Sequence, residues 1–251
     1  MTVYFIGAGP GDPDLITVKG RKLVERCPVC LYAGSLVPRE VVGCAPAGAK
    51  VIDTAALHLD QIIAHMREGH LAGQDVARVH SGDPTLYGAI AEQMRRLDEL
   101  GISYEVIPGV SSFTAAAAAL KIELTPAGLN QTVILTRAPG RTGVPDNESL
   151  AELARHRAGM VLFLSAAQVP DVVDALVPHY GQDAPVVVAY RVSWPDERMV
   201  RCTLGTLAEA LKQARMHLTA LIFVGPMLEP TGAENSHLYA KEFSHRFRQG
   251  E

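Results

Sequence analysis

The sequence predicts an α/β protein of two domains, and three observations carry that expectation. Short apolar runs alternate with amphipathic stretches between residues 3 and 107, the pattern of a mainly parallel sheet joined by crossover helices. A second series between residues 132 and 224 includes two runs, 186–191 and 199–204, flanking the turn Ser193-Trp194-Pro195-Asp196. That pair reads as antiparallel, so the second sheet should be mixed. The length of 251 residues also exceeds what one small core needs. The segment 121–128 is the expected boundary, giving domains at 1–122 and 123–235 and a basic tail at 236–251.

In the first half, strands are expected at 3–7, 29–32, 50–54, 76–80 and 104–107. Leu15, Val18, Lys22, Leu23 and Arg26 fit a helix behind the first Gly/Pro loop. Leu59, Ile62, Ile63 and Met66 give a stripe on a helix ending at Gly69, and Ile90, Met94, Leu97 and Leu100 mark another that stops at Gly101. An Ala-rich helix over 113–120 follows Pro108-Gly109-Val110-Ser111-Ser112. In the second half, a strand at 132–135, a polar loop at 139–147 and a helix over 150–157 precede a buried strand at 160–164. Val172, Val173, Leu176 and Val177 mark a helix before the antiparallel pair, and a helix at 207–214 and a strand at 220–224 close the series.

Composition is that of a globular protein, 48% hydrophobic and 20% charged, which excludes disorder and fibrous repeats. A net charge of −4 argues against a nucleic-acid partner. No apolar run reaches membrane-spanning length, and the start of the chain lacks a signal-peptide pattern, so a cytoplasmic protein is expected. Cys27-Pro28-Val29-Cys30 has redox or half-zinc spacing, but it straddles a helix end and a strand start without a second ligand pair, so no metal site is expected.

The chain is organised around Val79-His80-Ser81-Gly82-Asp83-Pro84-Thr85-Leu86-Tyr87-Gly88, a strand that runs into a turn. Gly82 permits close approach of a ligand, Asp83 offers a carboxylate, and Pro84 prevents both a ladder bond and a preceding helix. Gly11-Asp12-Pro13 repeats the tripeptide after another strand. Two such loops at strand carboxyl ends could wall one crevice, where open α/β sheets bind ligands. Gly7-Ala8-Gly9-Pro10-Gly11-Asp12 imitates a dinucleotide fingerprint but fails on spacing, and its prolines block a helix start at the pyrophosphate position. A nicotinamide oxidoreductase is therefore the weaker alternative. No Walker-type loop is present.

Taken together, the 6–13 segment, the 80–88 segment, Pro108-Gly109-Val110-Ser111-Ser112 and Leu221-Ile222-Phe223-Val224-Gly225 resemble the tetrapyrrole (corrin/porphyrin) methyltransferases over nearly the whole chain. Tyr32-Ala33-Gly34-Ser35-Leu36-Val37 and Ser236-His237-Leu238-Tyr239 resemble a branch acting on a ring carbon in cobalamin synthesis. The resemblance implies two α/β domains with a cleft, S-adenosylmethionine as cofactor, a homodimer, and direct methyl transfer to a tetrapyrrole. Carried over by motif, Pro10, Ser81, Gly82, Asp83, Leu86, Ser111, Ser112 and Leu164 are expected to contact cofactor, with Ala189, Tyr190, Thr219 and Ala220 from the second domain. Relatives acting on earlier intermediates carry an acid where this chain has Ala33-Gly34, so the base is sought at Asp12, with His80 and Asp53 as further groups. Substrate carboxylates call for cations, and Lys19, Arg137, Arg141 and Arg191 are the candidates. Methylation of ribosomal RNA or of a protein by the same fold, and a non-enzymatic tetrapyrrole carrier, are the alternatives.

Overall fold

The computed structural model describes residues 1–140 and 142–250. By internal contacts the chain divides into two units: Met1–Ala115 with Val192–Asp196, and Ala116–Arg191 with Glu197–Glu251. The division falls inside a helix, ahead of the 121–128 segment, and the segment 236–250 belongs to the second unit.

Unit 1 is a five-stranded parallel sheet of β1 (Val3–Gly7), β2 (Val29–Tyr32), β3 (Lys50–Asp53), β4 (Val76–His80) and β5 (Tyr104–Ile107), in the order β3-β2-β4-β1-β5. Its helices are α1 (Val18–Val24), α2 (Arg39–Val42), α3 (Leu59–Leu71) and α4 (Ala91–Glu99), and α5 (Ser112–Leu120) begins in it and runs into unit 2. Side-chain alternation along the central strands produces two cores. Tyr4, Ile6, Ala77 and Val79 pack with Leu23 and Val24 of α1 and Val41 and Val42 of α2. Val3, Phe5 and Val76 face the other way, against Ile62, Ile63 and Met66 of α3 and Leu97 of α4. Burial on both faces explains why these strands read as continuous apolar runs.

Cys27 and Cys30 lie in the first of these cores, both as free thiols, and burial pushes their pKa values up to about 11 and about 12. Neither is a ready nucleophile. Helix α3 runs two residues past Gly69, to Leu71, before the chain turns at Gly73 in the left-handed region.

Unit 2 holds a mixed sheet of β6 (Val133–Arg137), β7 (Gly159–Phe163), β8 (Pro185–Tyr190), β9 (Arg198–Thr203) and β10 (Ala220–Val224), in the order β6-β7-β10-β8-β9. Strands β6 and β7 are parallel and the other pairs antiparallel. Helices α6 (Leu150–Ala154), α7 (Val169–Tyr180) and α8 (Leu207–Ala214) contribute Leu150, Val172, Leu176, Leu207 and Leu211 to a core with Met160, Leu162, Val188 and Ile222. Among the described residues, no helix is long and apolar enough to cross a membrane.

Candidate active site

The carboxyl ends of β4, β1 and β5 are neighbours in unit 1, and their loops meet through close backbone contacts. Gly9 and Gly82 form an antiparallel bridge, with the Gly82 amide donating to the Gly9 carbonyl at 2.7 Å and the Gly9 amide returning to Gly82 at 3.2 Å. A Cβ on Gly109 would lie 2.2 Å from the Gly82 carbonyl oxygen and 2.8 Å from the Cα of Gly7. Gly7 at the end of β1, Gly82 and Gly109 therefore touch, which fixes the two Gly-Asp-Pro turns and the Pro108-Gly109 turn as one body.

Asp83 supplies the polar tie. Its Oδ2 accepts the Gly109 amide at 2.9 Å, and its Oδ1 accepts the Thr85 amide at 2.8 Å together with the Thr85 hydroxyl. Burial opposes ionisation, but the Thr85 hydroxyl and the Gly109 and Thr85 amides outweigh it and hold the carboxyl below its ordinary pKa. Leu86 closes the turn, its amide donating to the Asp83 carbonyl at 3.2 Å. Ser111 is nearly buried ahead of α5, and its carbonyl takes the Ala115 amide at 3.1 Å. Pro10, Ser81, Gly82, Asp83, Leu86, Ser111 and Ser112 are thus brought to one end of one sheet. Asp12 lies there too, where its Oδ1 accepts the Asp14 amide at 2.9 Å and caps a short 3-10 turn.

Beneath this loop, on the α3 and α4 side of the sheet, β4 carries two buried polar residues. Arg78 donates to Gln93 Oε1 at 3.1 Å and to Thr54 Oγ1 at 2.9 Å, and burial brings its pKa down to about 10. His80 is 4% exposed, and its Nε2 is buried without a hydrogen-bond partner among the described residues. Burial first, and the neighbouring Arg78 second, lower its pKa to about 3, against a hydrogen bond with the Gly88 backbone. His80 is therefore neutral under ordinary conditions. Because the unfolded chain protonates near pH 6.5 and the folded His80 does not, this residue's contribution to stability is full above that value. It is lost progressively as pH falls toward 3, at up to about 1.4 kcal/mol per pH unit. Urea denaturation at pH 7 and pH 5 should show the stability difference between wild type and His80→Gln narrowing at the lower pH.

In unit 2 the strand register gathers the remaining candidates. Arg137 pairs with Phe163 and Ala220 pairs with Tyr190, and Leu164 directly follows Phe163 at the end of β7. Leu164 has a φ of 53° and is 67% exposed, an unfavourable conformation and an unfavourable environment for the same residue. Ser165 holds it there. This fully buried hydroxyl accepts the Ala138 amide at 2.8 Å and donates to the Phe163 carbonyl at 2.7 Å. Ser165→Ala would orphan the buried Ala138 amide, and urea denaturation should register a loss of about 1–3 kcal/mol. Thr219 is exposed, with a φ of 55°, and its carbonyl accepts the Arg191 amide at 3.1 Å. Ala189 is buried inside β8, and Tyr190 is half-buried with the Arg198 guanidinium 4.7 Å from its ring centre.

The cations expected to bind substrate are held in different ways. Lys19 pairs with Glu105, two residues short of the end of β5. Arg137 turns its guanidinium onto its own loop, donating to Thr142 and Gly143 carbonyls at 3.1 and 2.6 Å. Arg191 sits in the left-handed region directly after β8, and Arg141 lies outside the described residues. Sequence reasoning missed Trp194, whose indole Nε1 donates to the Pro10 carbonyl at 2.9 Å, and Ser193, whose Oγ accepts the Asp12 amide at 2.9 Å. The sole tryptophan of the chain, placed in a turn, was the available signal.

Residues 2–208 match the family model described as Tetrapyrrole (Corrin/Porphyrin) Methylases. The chain is 53% identical over 251 residues to a precorrin-4 C(11)-methyltransferase of Pseudomonas aeruginosa, with all of both sequences covered. Among solved structures, a cobalt precorrin-4 methyltransferase superposes with a TM-score of 0.88 at 46% identity, covering 91% of this chain and 96% of that one. A uroporphyrin-III C-methyltransferase of Thermus thermophilus, complexed with S-adenosylhomocysteine, gives 0.76 at 27% identity, covering 92% of this chain and 100% of that one. Glycine-packed strand ends in unit 1, the exposed left-handed Leu164 in unit 2 and these similarities have one reading: the chain belongs to the tetrapyrrole (corrin/porphyrin) methylases.

Proposed function

We propose that this protein transfers the methyl group of S-adenosylmethionine to C11 of precorrin-4, giving precorrin-5 in cobalamin synthesis. The observation that carries the reading is the backbone-lined strand-end surface of unit 1, in a chain similar end to end to a precorrin-4 C(11)-methyltransferase. The donor set suits the cofactor. Amides and carbonyls of glycine-rich turns match an amino-acid head, a ribose and an uncharged base better than a phosphate chain, which would call for cations.

Pro10, Ser81, Gly82, Asp83, Leu86, Ser111 and Ser112 of unit 1, and Leu164, Ala189, Tyr190, Thr219 and Ala220 of unit 2, are the residues that would hold it. Of these, Asp83 acts through the loop it fastens, since Thr85 and Gly109 occupy both of its oxygens. When bound, S-adenosylmethionine would supply an electrophilic methyl group to an electron-rich ring carbon of the substrate and would leave as S-adenosylhomocysteine, with no covalent enzyme intermediate required. Rigid loops suit such a reaction, because positioning alone contributes about 7–11 kcal/mol to a two-reactant step. Asp12 is the proposed base. With its Oδ1 on the Asp14 amide, Oδ2 is the oxygen available to take the proton released from the macrocycle. Lys19, Arg137, Arg141 and Arg191 are proposed for the substrate's carboxylates, with Arg137 acting chiefly through the loop it braces. A homodimer, implied by the family resemblance, and a cytoplasmic location, expected from the sequence, belong to the same reading.

Cobalt-precorrin-4 is the second acceptor to consider, favoured by the fit of this chain to a cobalt precorrin-4 methyltransferase. Calorimetric titration with S-adenosylhomocysteine, with NAD as the control, tests the cofactor assignment. Saturable binding of the first alone is expected, and binding of NAD alone overturns it.

A further inference from the structure

We propose that Trp194 is a positioning residue for the cofactor loop Pro10-Gly11-Asp12, acting as a clamp that sets the path of this backbone. The inference rests on the cofactor reading above. The chain between β8 and β9 does not take a tight hairpin turn. It passes through two non-glycine residues in the left-handed region, Arg191 at φ 45° and Ser193 at φ 65°, and Val192–Asp196 joins unit 1 by its contacts.

Three contacts at consecutive loop positions follow. The indole Nε1 donates to the Pro10 carbonyl at 2.9 Å, the Asp12 amide donates to Ser193 Oγ at 2.9 Å, and the indole ring covers Gly11 between them. A Cβ at Gly11 would lie 2.3 Å from Trp194 Cδ1 and 2.4 Å from Nε1. Gly11 is not among the residues with positive φ, so the ring, and not the backbone angle, is what demands glycine here. The clamp thus holds a carbonyl, an amide and the bare Cα of the loop that follows β1, and does so with residues some 180 positions distant.

The test is a comparison of wild type, Trp194→Phe, Gly11→Ala and Trp194→Ala, each checked by thermal unfolding. Trp194→Phe keeps an aromatic ring over Gly11 but cannot donate to Pro10. Calorimetry should show S-adenosylhomocysteine bound about five- to tenfold more weakly, the size of one lost hydrogen bond, with KM for S-adenosylmethionine rising and kcat little changed. Gly11→Ala should weaken binding in wild type and cost little further in Trp194→Ala, because the atoms it collides with are gone. Trp194 is the chain's only tryptophan, so emission from the wild type should shift on saturation with S-adenosylhomocysteine, at the same midpoint as calorimetry. Wild-type binding with unchanged affinity in Trp194→Phe, or an equal cost of Gly11→Ala in both backgrounds, overturns the clamp and leaves the cofactor reading standing. No binding by folded wild type overturns both.

Discussion

Gly109→Ala is expected to lower methyl transfer about 100-fold and to destabilise unit 1 by about 3 kcal/mol, the upper range of overpacking costs. The added methyl would meet the Gly82 carbonyl oxygen at 2.2 Å and Gly7 Cα at 2.8 Å. Both are backbone atoms, one at the end of β1 and one in the loop after β4, so no rotamer change relieves the collision. The Asp83 tie depends on the same position, because Oδ2 accepts the Gly109 amide. Pushing Gly109 away breaks that bond and shifts the two Gly-Asp-Pro turns relative to one another. Urea denaturation and initial rates at saturating substrate measure the two losses; near-wild-type values in both would show that the three-glycine contact does not order the site.

The second large effect has opposite signs in stability and function. Leu164→Gly removes a left-handed leucine, which costs roughly 1–2 kcal/mol where it stands, and glycine adopts the same φ without strain. The side chain is 67% exposed, so little packing is lost with it. Unfolding should therefore show the variant no less stable, and up to about 1 kcal/mol more stable. Binding should go the other way. If Leu164 covers the cofactor, truncating it forfeits about 1.5–3 kcal/mol of apolar burial, and S-adenosylhomocysteine should bind roughly 10- to 100-fold more weakly. A variant that gains stability and retains affinity would assign the strain at Leu164 to something other than the cofactor.

Much of this architecture was legible because it is local. The strands Val3–Gly7, Val29–Tyr32, Val76–His80, Tyr104–Ile107 and Ala220–Val224 and the helix Leu207–Ala214 lie where periodicity and turn residues place them. The short α2 escaped because four residues carry no period. Helix α6 stops at Ala154, short of residue 157, because Arg157 takes a left-handed φ of 50°. The Gly-Asp-Pro motifs marked the strand ends correctly, since glycine and proline restrict the chain wherever they occur.

What stayed hidden is non-local. Nothing near Gly11 in the sequence announces an indole from residue 194, and nothing near Leu164 says that an apolar strand-end residue is turned outward by a buried serine hydroxyl. The orientation of the cations is hidden for a related reason. Spacing locates an arginine at a strand end or in a loop, but whether its guanidinium faces a ligand or, as at Arg137, the carbonyls of the loop that follows depends on the closed shape of that loop.

The most direct test of the account is incubation of the purified protein with precorrin-4 and S-adenosylmethionine carrying a 13C-labelled methyl group, followed by NMR of the tetrapyrrole product. The account predicts one labelled methyl group, on C11, with an equal amount of S-adenosylhomocysteine formed. Label on another ring carbon, or none transferred to either the metal-free or the cobalt-containing substrate by folded protein, would contradict it.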